Sequence, residues 1–585
     1  MDSYLLTRLW ANVSRQRRIQ GVLLLILMLL ASFAEVVSIG AVLPFLGVLL
    51  SPETIFHEPL AQPIINFLDV EEPNELILPL TAVFAIAALF SGAMRLSLLW
   101  SQTRISHGIG AEWSVSIFYR TLKQPYAVHL ARNSSELVAG ISHKVTQVVA
   151  HTIVPILTVI SSSIMLIVIF AGLMVVDSIV AVSSFVGFSL IYVAVLLLTR
   201  NRSKRYSRTI SREQIRIVKI LQEGLGGIRD ILIDGTQSVF SNSYRHADQP
   251  LRRARANTQI IAGSPRFIVE SLGMIVIASL AYFLANREGG LLAAIPVLGA
   301  LALGAQRMLP MLQQGFAAWA SIRSDRDTLK DVIELLEQPI IGDGSDESII
   351  PLKFERDIRF ERMTFSYTGS APWALQSIDL TISRGSRIGI IGETGSGKTT
   401  LLDMLMGLLV ANSGALRIDG IPLTLENYRS WQARISHVPQ SIYLSDASIA
   451  ENIAFGVTPG AIDLERVIES AKQAQIHNTI HTWPDQYDTR IGERGVRLSG
   501  GQRQRIGIAR AMYKRADVLI FDEATSALDN DTENAVMRSL ESLNERVTVI
   551  IVAHRLTTLK NCDYVIELLN GELHRIGSYD EVVAV

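Results

Sequence analysis

One cysteine, Cys562, is all the thiol chemistry this sequence carries, so no internal disulfide can staple it. It sits in the more polar half of the chain, as a reducing cytosolic compartment would leave it. An excess of either charge is also missing. The 54 Lys and Arg offset 55 Asp and Glu, a net −1, which gives the chain as a whole no electrostatic reason to bind nucleic acid. Charged residues are only 19% of the total, and the first half holds long stretches almost without them. A small-residue cleavage site is absent too. Met1 to Arg18 is basic, but the apolar run Ile19–Leu50 is too long for a signal peptide, so it reads as a retained membrane helix.

A helix needs about 20 residues to cross a hydrocarbon core of about 30 Å. Six runs meet that requirement: Gln20–Leu50, Leu76–Gln102, Thr146–Val176, Ser178–Thr199, Pro265–Ala285 and Leu291–Ala320. Several exceed the need, which predicts tilted helices that continue beyond the bilayer. Only the region around Asp177 separates the third from the fourth, so their junction must be a tight turn. The N-terminal tail carries Arg8, Arg15, Arg17 and Arg18, while residues 51–75 hold six acidic residues and no Lys or Arg. Residues 200–266 hold fourteen Lys and Arg. Basic segments stay in the cytosol, which places both termini and the second half there. The loops 103–145 and 200–264 are rich in helix formers and are expected to extend the spans into the cytosol. They break at Gln124-Pro125-Tyr126 and from Gly224 to Gly235, either as plain turns or as short transverse helices. In the external loop, Pro63 can open a short helix to Asp69 with Ile64, Phe67 and Leu68 on one face, with a plain loop as the alternative.

From Ile358 the pattern changes to short β-rich runs alternating with helices, an α/β domain. Gly392-Glu393-Thr394-Gly395-Ser396-Gly397-Lys398-Thr399 fits the phosphate-loop pattern GxxxxGK[ST], between an apolar strand and a helix start. Its glycines let backbone N–H groups close on a phosphate at a positive helix terminus. Lys398 is placed for the β/γ-phosphates and the Thr399 hydroxyl for Mg²⁺. The strand Val518–Phe521 ends at Asp522, positioned to hold the same ion, and Glu523 follows as a carboxylate able to orient or deprotonate a water.

The run LSGGQRQRIGIARA at Leu498–Ala511 resembles the signature of the ATP-binding-cassette family, and the whole chain is similar to its six-span exporters. That resemblance implies an α-helical transmembrane domain over residues 1–325, a linker over 326–355 and a P-loop NTPase cassette over 356–585. It further implies that Tyr367 stacks on adenine and that Thr400 lies in the nucleotide pocket. Gln440 senses Mg²⁺ and the membrane domain, Glu493 contacts the cytosolic loops, Asp529 lies in a cross-dimer loop and His554 meets the γ-phosphate. Ser499, Gly500, Gly501 and Gln502 complete the ATP site of a second subunit, so a homodimer is expected, with ATP and Mg²⁺ as cofactors.

The cargo is read from fewer residues. Arg95, Arg266 and Arg307 stand at membrane depth with Glu35 and Glu270 as acidic counterparts. They are either internal ion pairs or a basic cavity for an anionic headgroup. The segments QPYAVHLARNSSELVAGISHKV and LQEGLGGIRDILIDG are similar to the PglK-like flippases of lipid-linked oligosaccharides. In that group cavity arginines handle a pyrophosphate and a short external helix follows the first span. The resemblance implies a bacterial inner-membrane protein, with lipid as cargo and surroundings and no nucleic acid. A multidrug, lipid A or peptide exporter is the rival on the same architecture. A cassette ATPase acting on nucleic acid is disfavoured by the six apolar runs.

Overall fold

The computed structural model describes residues 3–50, 52–56, 72–131, 144–176, 178–285, 308–340, 349–368, 371–492, 495–525, 527–541, 546–553 and 555–583. The chain divides into two compact units, residues 1–122 with 134–338, and residues 123–133 with 339–585.

The first unit is helical. Helix α1 (Ser3–Ala11) leads into α2 (Arg15–Gly40), whose first turn is capped by the Ser14 hydroxyl accepting from Arg17 N. Pro44 has no N–H to offer the Gly40 carbonyl, so α2 stops there and α3 (Val42–Leu50) continues as a separate helix. The second predicted span lies within α4 (Ile77–Leu122), followed after Pro125 by the short α5 (Tyr126–Ala131).

The third span is interrupted. An α turn over Val145–Val148 passes into a π turn over Val149–Ile153 before α6 (Val154–Val176). Pro155 cannot donate to the His151 carbonyl, and a π turn is one way a helix absorbs such a loss. That carbonyl instead accepts from Ser321 Oγ at 3.1 Å. Gly110 of α4 makes room for the turn, since a Cβ there would come within 2.6 Å of Val149 Cγ2.

Helix α7 (Ser178–Gly226) and α9 (Gln237–Ala285) are each 49 residues long, about 74 Å at 1.5 Å per residue. They pack through Ile217, Ala247 and Leu251. Between them lies α8 (Ile228–Asp234), ended by Gly235 in the left-handed region at φ 66°. Residues 308–324 are helical and lead to α10 (Arg326–Leu336). Both predicted breaks are therefore short helices, α5 and α8. Among the described residues three stretches are long and apolar enough to cross a membrane, Arg15–Leu49, Pro73–Leu122 and Val145–Gly172. The fourth and fifth predicted spans lie within α7 and α9; residues 291–307 of the sixth and the Pro63–Asp69 segment lie outside the described residues. At one end of this unit α1, α4, the start of the third span and α10 share an apolar cluster that includes Leu9, Trp113, Val148 and Ile333.

The second unit holds two sheets. The smaller is antiparallel, in the order β2 (Leu375–Ser383), β1 (Asp357–Phe365), β4 (Ser413–Ile418), β5 (Ile421–Pro422). The larger runs β10 (Glu572–Gly577), β9 (Tyr564–Leu569), β3 (Arg387–Gly392), β8 (Thr548–Val552), β7 (Val518–Asp522), β6 (Ile435–Val438). Every pair from β9 to β6 is parallel, and β10 is an antiparallel edge. Strands buried on both faces read as continuous apolar runs, and Val518–Phe521 and Thr548–Val552 are buried throughout.

Gly414, the second residue of β4, sits at φ 80°, and a Cβ there would lie 2.4 Å from the carbonyl oxygens of Glu361 and Arg362. Backbone cannot step aside as a side chain can. Gly414→Ala is expected to cost about 2 kcal/mol or more, seen as a fall of about 4–8 °C in cassette melting. An unchanged melting temperature would contradict this account of the β1–β4 pairing.

Candidate functional site

Parallel pairing sets Ile390 of β3 against Val552 of β8, and Val552 against Asp522 of β7. Phe521 pairs with Val438 at the end of β6, two residues before Gln440. Four chain exits thus stand side by side at the carboxyl edge of one sheet, the usual ligand crevice of a parallel sheet.

At the β3 exit the phosphate loop turns on glycines. A Cβ on Gly392 would sit 2.4 Å from Leu568 O, and one on Gly397 2.7 Å from Ala374 O. Gly395 is held at φ 87° with open space around it. Glu393, Thr394 and Thr399 are exposed, while Ser396 is 4% exposed with its Oγ unbonded among the described residues. Gly397 is the N-cap of α11 (Lys398–Leu405). Lys398 Nζ donates to Gly392 O at 2.6 Å and Glu393 O at 2.9 Å. An ammonium has three donors, so one remains for an anion. Thr400, in the first turn of that helix, is buried and its Oγ1 lies 3.2 Å from Tyr367 Oη. The Tyr367 ring is 58% exposed and packs edge-on against Phe365.

The β7 exit supplies the acid groups. Burial and then the Glu523 charge push Asp522 above the usual carboxylate range, and Lys398 pulls it partly back. Glu523 itself sits in the left-handed region at φ 51°, an uncommon conformation for a side-chain-bearing residue and one found at functional sites. Its Oε2 accepts from Gln440 Nε2, which joins the β6 and β7 exits. The signature residues start a separate helix, α12 (Gly500–Tyr513). Ser499 caps it in a reciprocal box with Gln502, the Gln502 N–H donating to Ser499 Oγ and the Ser499 N–H to Gln502 Oε1. Gly501 lets this helix approach the segment after β7, since a Cβ would lie 3.1 Å from Ala527 O. Asp529 accepts from Thr532 N and Oγ1 and so opens α13 (Asn530–Glu541). His554 and Glu493 lie outside the described residues.

Three groups have no sequence motif. Asp403 of α11 is 9% exposed, and burial, then the Asp522 carboxylate, push it up to about 6. Glu533 accepts from Thr525 Oγ1, Thr558 Oγ1 and Arg555 Nη1, tying the segment after β7 and the stretch that begins at Arg555 to α13. Tyr126 of α5 lines an apolar cleft with Phe365, Leu408 and Tyr428. Burial, then Asp403 and Tyr367, push its phenol up. Only an apolar or polar residue type at each position was visible in the sequence; their neighbours come from distant segments.

The carboxylates Asp403, Asp522 and Glu523, opposed by Lys398, and the unbonded Ser396 Oγ together fit a nucleotide carrying a divalent cation. Mg²⁺ takes one or two carboxylates plus phosphate oxygens rather than an all-protein cage. Among the described residues no group of three or more His, Cys, Asp or Glu is placed to hold a metal ion by itself.

Of the three membrane arginines, Arg95 is described. It lies on α4 one turn beyond Ser91, whose hydroxyl donates to Glu35 of α2. Glu35 is 2% exposed, and Arg95 Nη1 stands 3.7 Å from Glu35 Oε1 with its side chain 39% exposed. The pair is therefore buried on the acid side and open on the basic side. Arg266 falls on α9, and its side chain and Arg307 lie outside the described residues.

Residues 375–526 match the family described as ABC transporter, and residues 19–287 match the ABC transporter transmembrane region. The ATP-dependent lipid A-core flippase of Alkalilimnicola ehrlichii is 27% identical over 89% of this chain and 88% of its own. That of Coxiella burnetii is 28% identical over 90% and 88%. A Bacillus subtilis protein named for multidrug export is 31% identical over 66% and 65%. In fold, the chain is similar to a solved bacterial Atm1-family ABC exporter with ATP bound, at TM-score 0.77, 21% identity and coverage of 97% and 96%.

The raised Asp403 value fixes the sign of a pH effect. A carboxyl held above its ordinary 3.8 contributes stability in its protonated form. That contribution is complete below the ordinary value and is lost as pH rises through about 6. Asp403→Asn, which cannot ionise, is expected to gain in melting temperature over the parent as pH rises from about 4 to about 6, and to hold that gain above it, in nucleotide-free protein. A difference that stays constant across that window would show that Asp403 ionisation carries no such cost.

Proposed function

Because this chain belongs to the ABC transporter family and couples ATP hydrolysis to transport, we propose that it is one half of a homodimeric flippase in a bacterial inner membrane, moving a lipid with an oligosaccharide headgroup on a phosphate or pyrophosphate. Arg95 carries the cargo reading: a cation at membrane depth, anchored by a buried Glu35 and open on its other side. A guanidinium so placed can form charge-assisted bonds to a phosphate. The names of the Alkalilimnicola and Coxiella relatives support a lipid cargo, and the two cytosolic-loop segments support the oligosaccharide class. Arg266 and Arg307 are assigned to the same site. A multidrug exporter is the second reading, favoured by the Bacillus relative.

At the ATP site the loop from Gly392 to Gly397 wraps the phosphates, Thr394 and Ser396 included, and Lys398 gives its third donor to them. Tyr367 stacks on adenine with Thr400 behind it. Thr399, Asp522 and Gln440 would hold Mg²⁺, which would neutralise phosphate charge. Glu523 orients or deprotonates the attacking water and His554 contacts the γ-phosphate. Ser499, Gly500, Gly501 and Gln502 close the site of the second copy, their helix N-terminus facing its phosphates. The Gln440–Glu523 bond supports a role for the β6 exit in reporting nucleotide state.

Glu523→Gln keeps size and removes the base. Nucleotide should still bind, while turnover falls by about 10²-fold or more; a near-parental rate in purified protein would remove Glu523 from its role. For the cargo, the test is flipping of a fluorescent lipid-linked oligosaccharide in proteoliposomes. Arg95→Ala should cut it by about tenfold, a loss of one charge-assisted contact, with basal ATPase retained. A parent protein that never flips this lipid yet moves drugs would overturn the reading.

A further inference from the structure

Away from the ATP site, the cassette carries a pair of histidines with no part in the nucleotide chemistry. His477 and His481 stand at the two ends of one short helical turn, His477–His481. Four residues apart, their side chains share a face. The backbone beneath them is fixed. Ile476 and Ile480, each one residue earlier, are fully buried in the apolar core of the cassette. The turn is entered from Gln475, held in the left-handed region at φ 56°, whose carbonyl accepts from Arg505 Nη1 of α12 at 2.8 Å. At its other end the Trp483 N–H donates to Ile480 O, and the chain turns back through a 3₁₀ turn at Gln486–Asp488. That return brings Tyr487, only 7% exposed, onto the first histidine, with its Oη 2.8 Å from His477 Nδ1.

The two rings are close to the spacing of a chelate. Their centroids lie 5.8 Å apart with the planes at 74°. One tetrahedral ion with Zn–N bonds of about 2.0–2.1 Å holds two imidazole centres about 5 Å apart. Rotation of His481 can close the difference, since that side chain is exposed and makes no hydrogen bond or ion pair among the described residues. With Nδ1–H of His477 donating to the Tyr487 oxygen, Nε2 keeps its lone pair for an ion. A hydrogen bond of this kind on the second ring nitrogen fixes the tautomer and orientation of a ligating histidine. Burial, then the charges of Lys472 and His481, lower the pKa of His477 and favour the neutral imidazole. The Lys472 charge also opposes a bound cation, which keeps such an ion exchangeable.

We propose that His477 and His481 form a binding site for a divalent transition-metal ion, Zn²⁺ above all, with Tyr487 as its positioning residue and water in the remaining coordination positions. Imidazole suits Zn²⁺, Ni²⁺ and Cu²⁺, whereas Mg²⁺ prefers oxygen, so this site does not compete for the ion of the nucleotide. Two histidines at this spacing on one helix face are a zinc-binding arrangement. Asn478 follows the first histidine where a hydrolytic zinc helix carries its glutamate base, so the site binds metal without hydrolytic chemistry. No third His, Cys, Asp or Glu joins the pair among the described residues. The ion therefore keeps open positions and follows the free metal concentration, stabilising the folded cassette by mass action.

The test uses the full-length protein, free of any purification tag, stripped with chelator and kept without nucleotide. Calorimetric titration with Zn²⁺ should show one ion per chain at this site, and the melting temperature of the cassette should rise with Zn²⁺ but not with Mg²⁺. Tyr487→Phe keeps both ligands and should weaken Zn²⁺ by about tenfold or more. His481→Gln, at an exposed position, should lose the Zn²⁺-dependent rise while melting as the parent does in chelator. Cu²⁺ supplies an independent readout, with hyperfine coupling to two imidazole nitrogens in the parent and to one in His481→Gln. Zn²⁺ affinity and melting response that are the same in parent and His481→Gln would mean an adventitious ion only, held by other histidines or by the carboxylates of the ATP site, and would overturn the proposal. A parent with no Zn²⁺ response at all would overturn it too. Parental affinity in Tyr487→Phe would remove Tyr487 from its positioning role. None of these outcomes depends on which cargo is moved.

Discussion

The ATP site depends on the parallel register of β3, β8, β7 and β6. Hydrogen bonds along Ile390, Val552 and Asp522 fix where each strand ends, and so fix which loop residues meet. A slip of one residue would turn Asp522 to the other face of the sheet and separate it from Lys398. The interior strands resist such a slip because they are apolar on both faces and closed in by neighbours. The polar residues cluster only where the sheet runs out. The acidic pair at the β7 exit is costly there, and the cost is visible in the raised Asp522 and Asp403 and in the left-handed backbone of Glu523. The divalent cation of a metal–nucleotide complex is what would relieve it.

The phosphate loop was legible in the sequence because its requirement is local. Glycines at 392, 395 and 397 answer to positive backbone torsions within one six-residue loop. The signature run was legible by its resemblance to the family motif, and the structure adds that Ser499 and Gln502 satisfy each other three residues apart. The proline and glycines beside α5 and α8 located the two breaks but left plain turns and short helices open, and the structure has helices. What could not be read were contacts closed by the tertiary fold. Asp403 looked like an ordinary helix residue until β7 brought Asp522 to it. Glu533 looked like a surface acid until Thr525, Thr558 and Arg555 surrounded it.

The membrane arginines show the same limit. Hydropathy located Arg95 at depth but could not say which way its charge was balanced. The answer is a carboxylate 60 residues earlier in sequence, on another helix, itself held by a serine one turn from Arg95. That arrangement draws on both readings open at the outset: an internal ion pair, and a cation with a free side. The third span likewise gave no warning of its π turn, although Pro155 was in plain view, because a proline in a helix can be absorbed by a kink, a break or a widened turn.

That widened turn has an angular consequence. One extra residue in a helix of 3.6 per turn rotates everything beyond it by about 100°. The stripe that faces α1 and α10 before Val149 is therefore out of phase with the stripe that faces neighbouring helices beyond Ile153. A single wheel drawn through the whole span would assign the wrong face to one end. The span is better treated as two helices sharing an axis, each with its own phase, and a substitution pattern along it should change its beat between Val149 and Ile153.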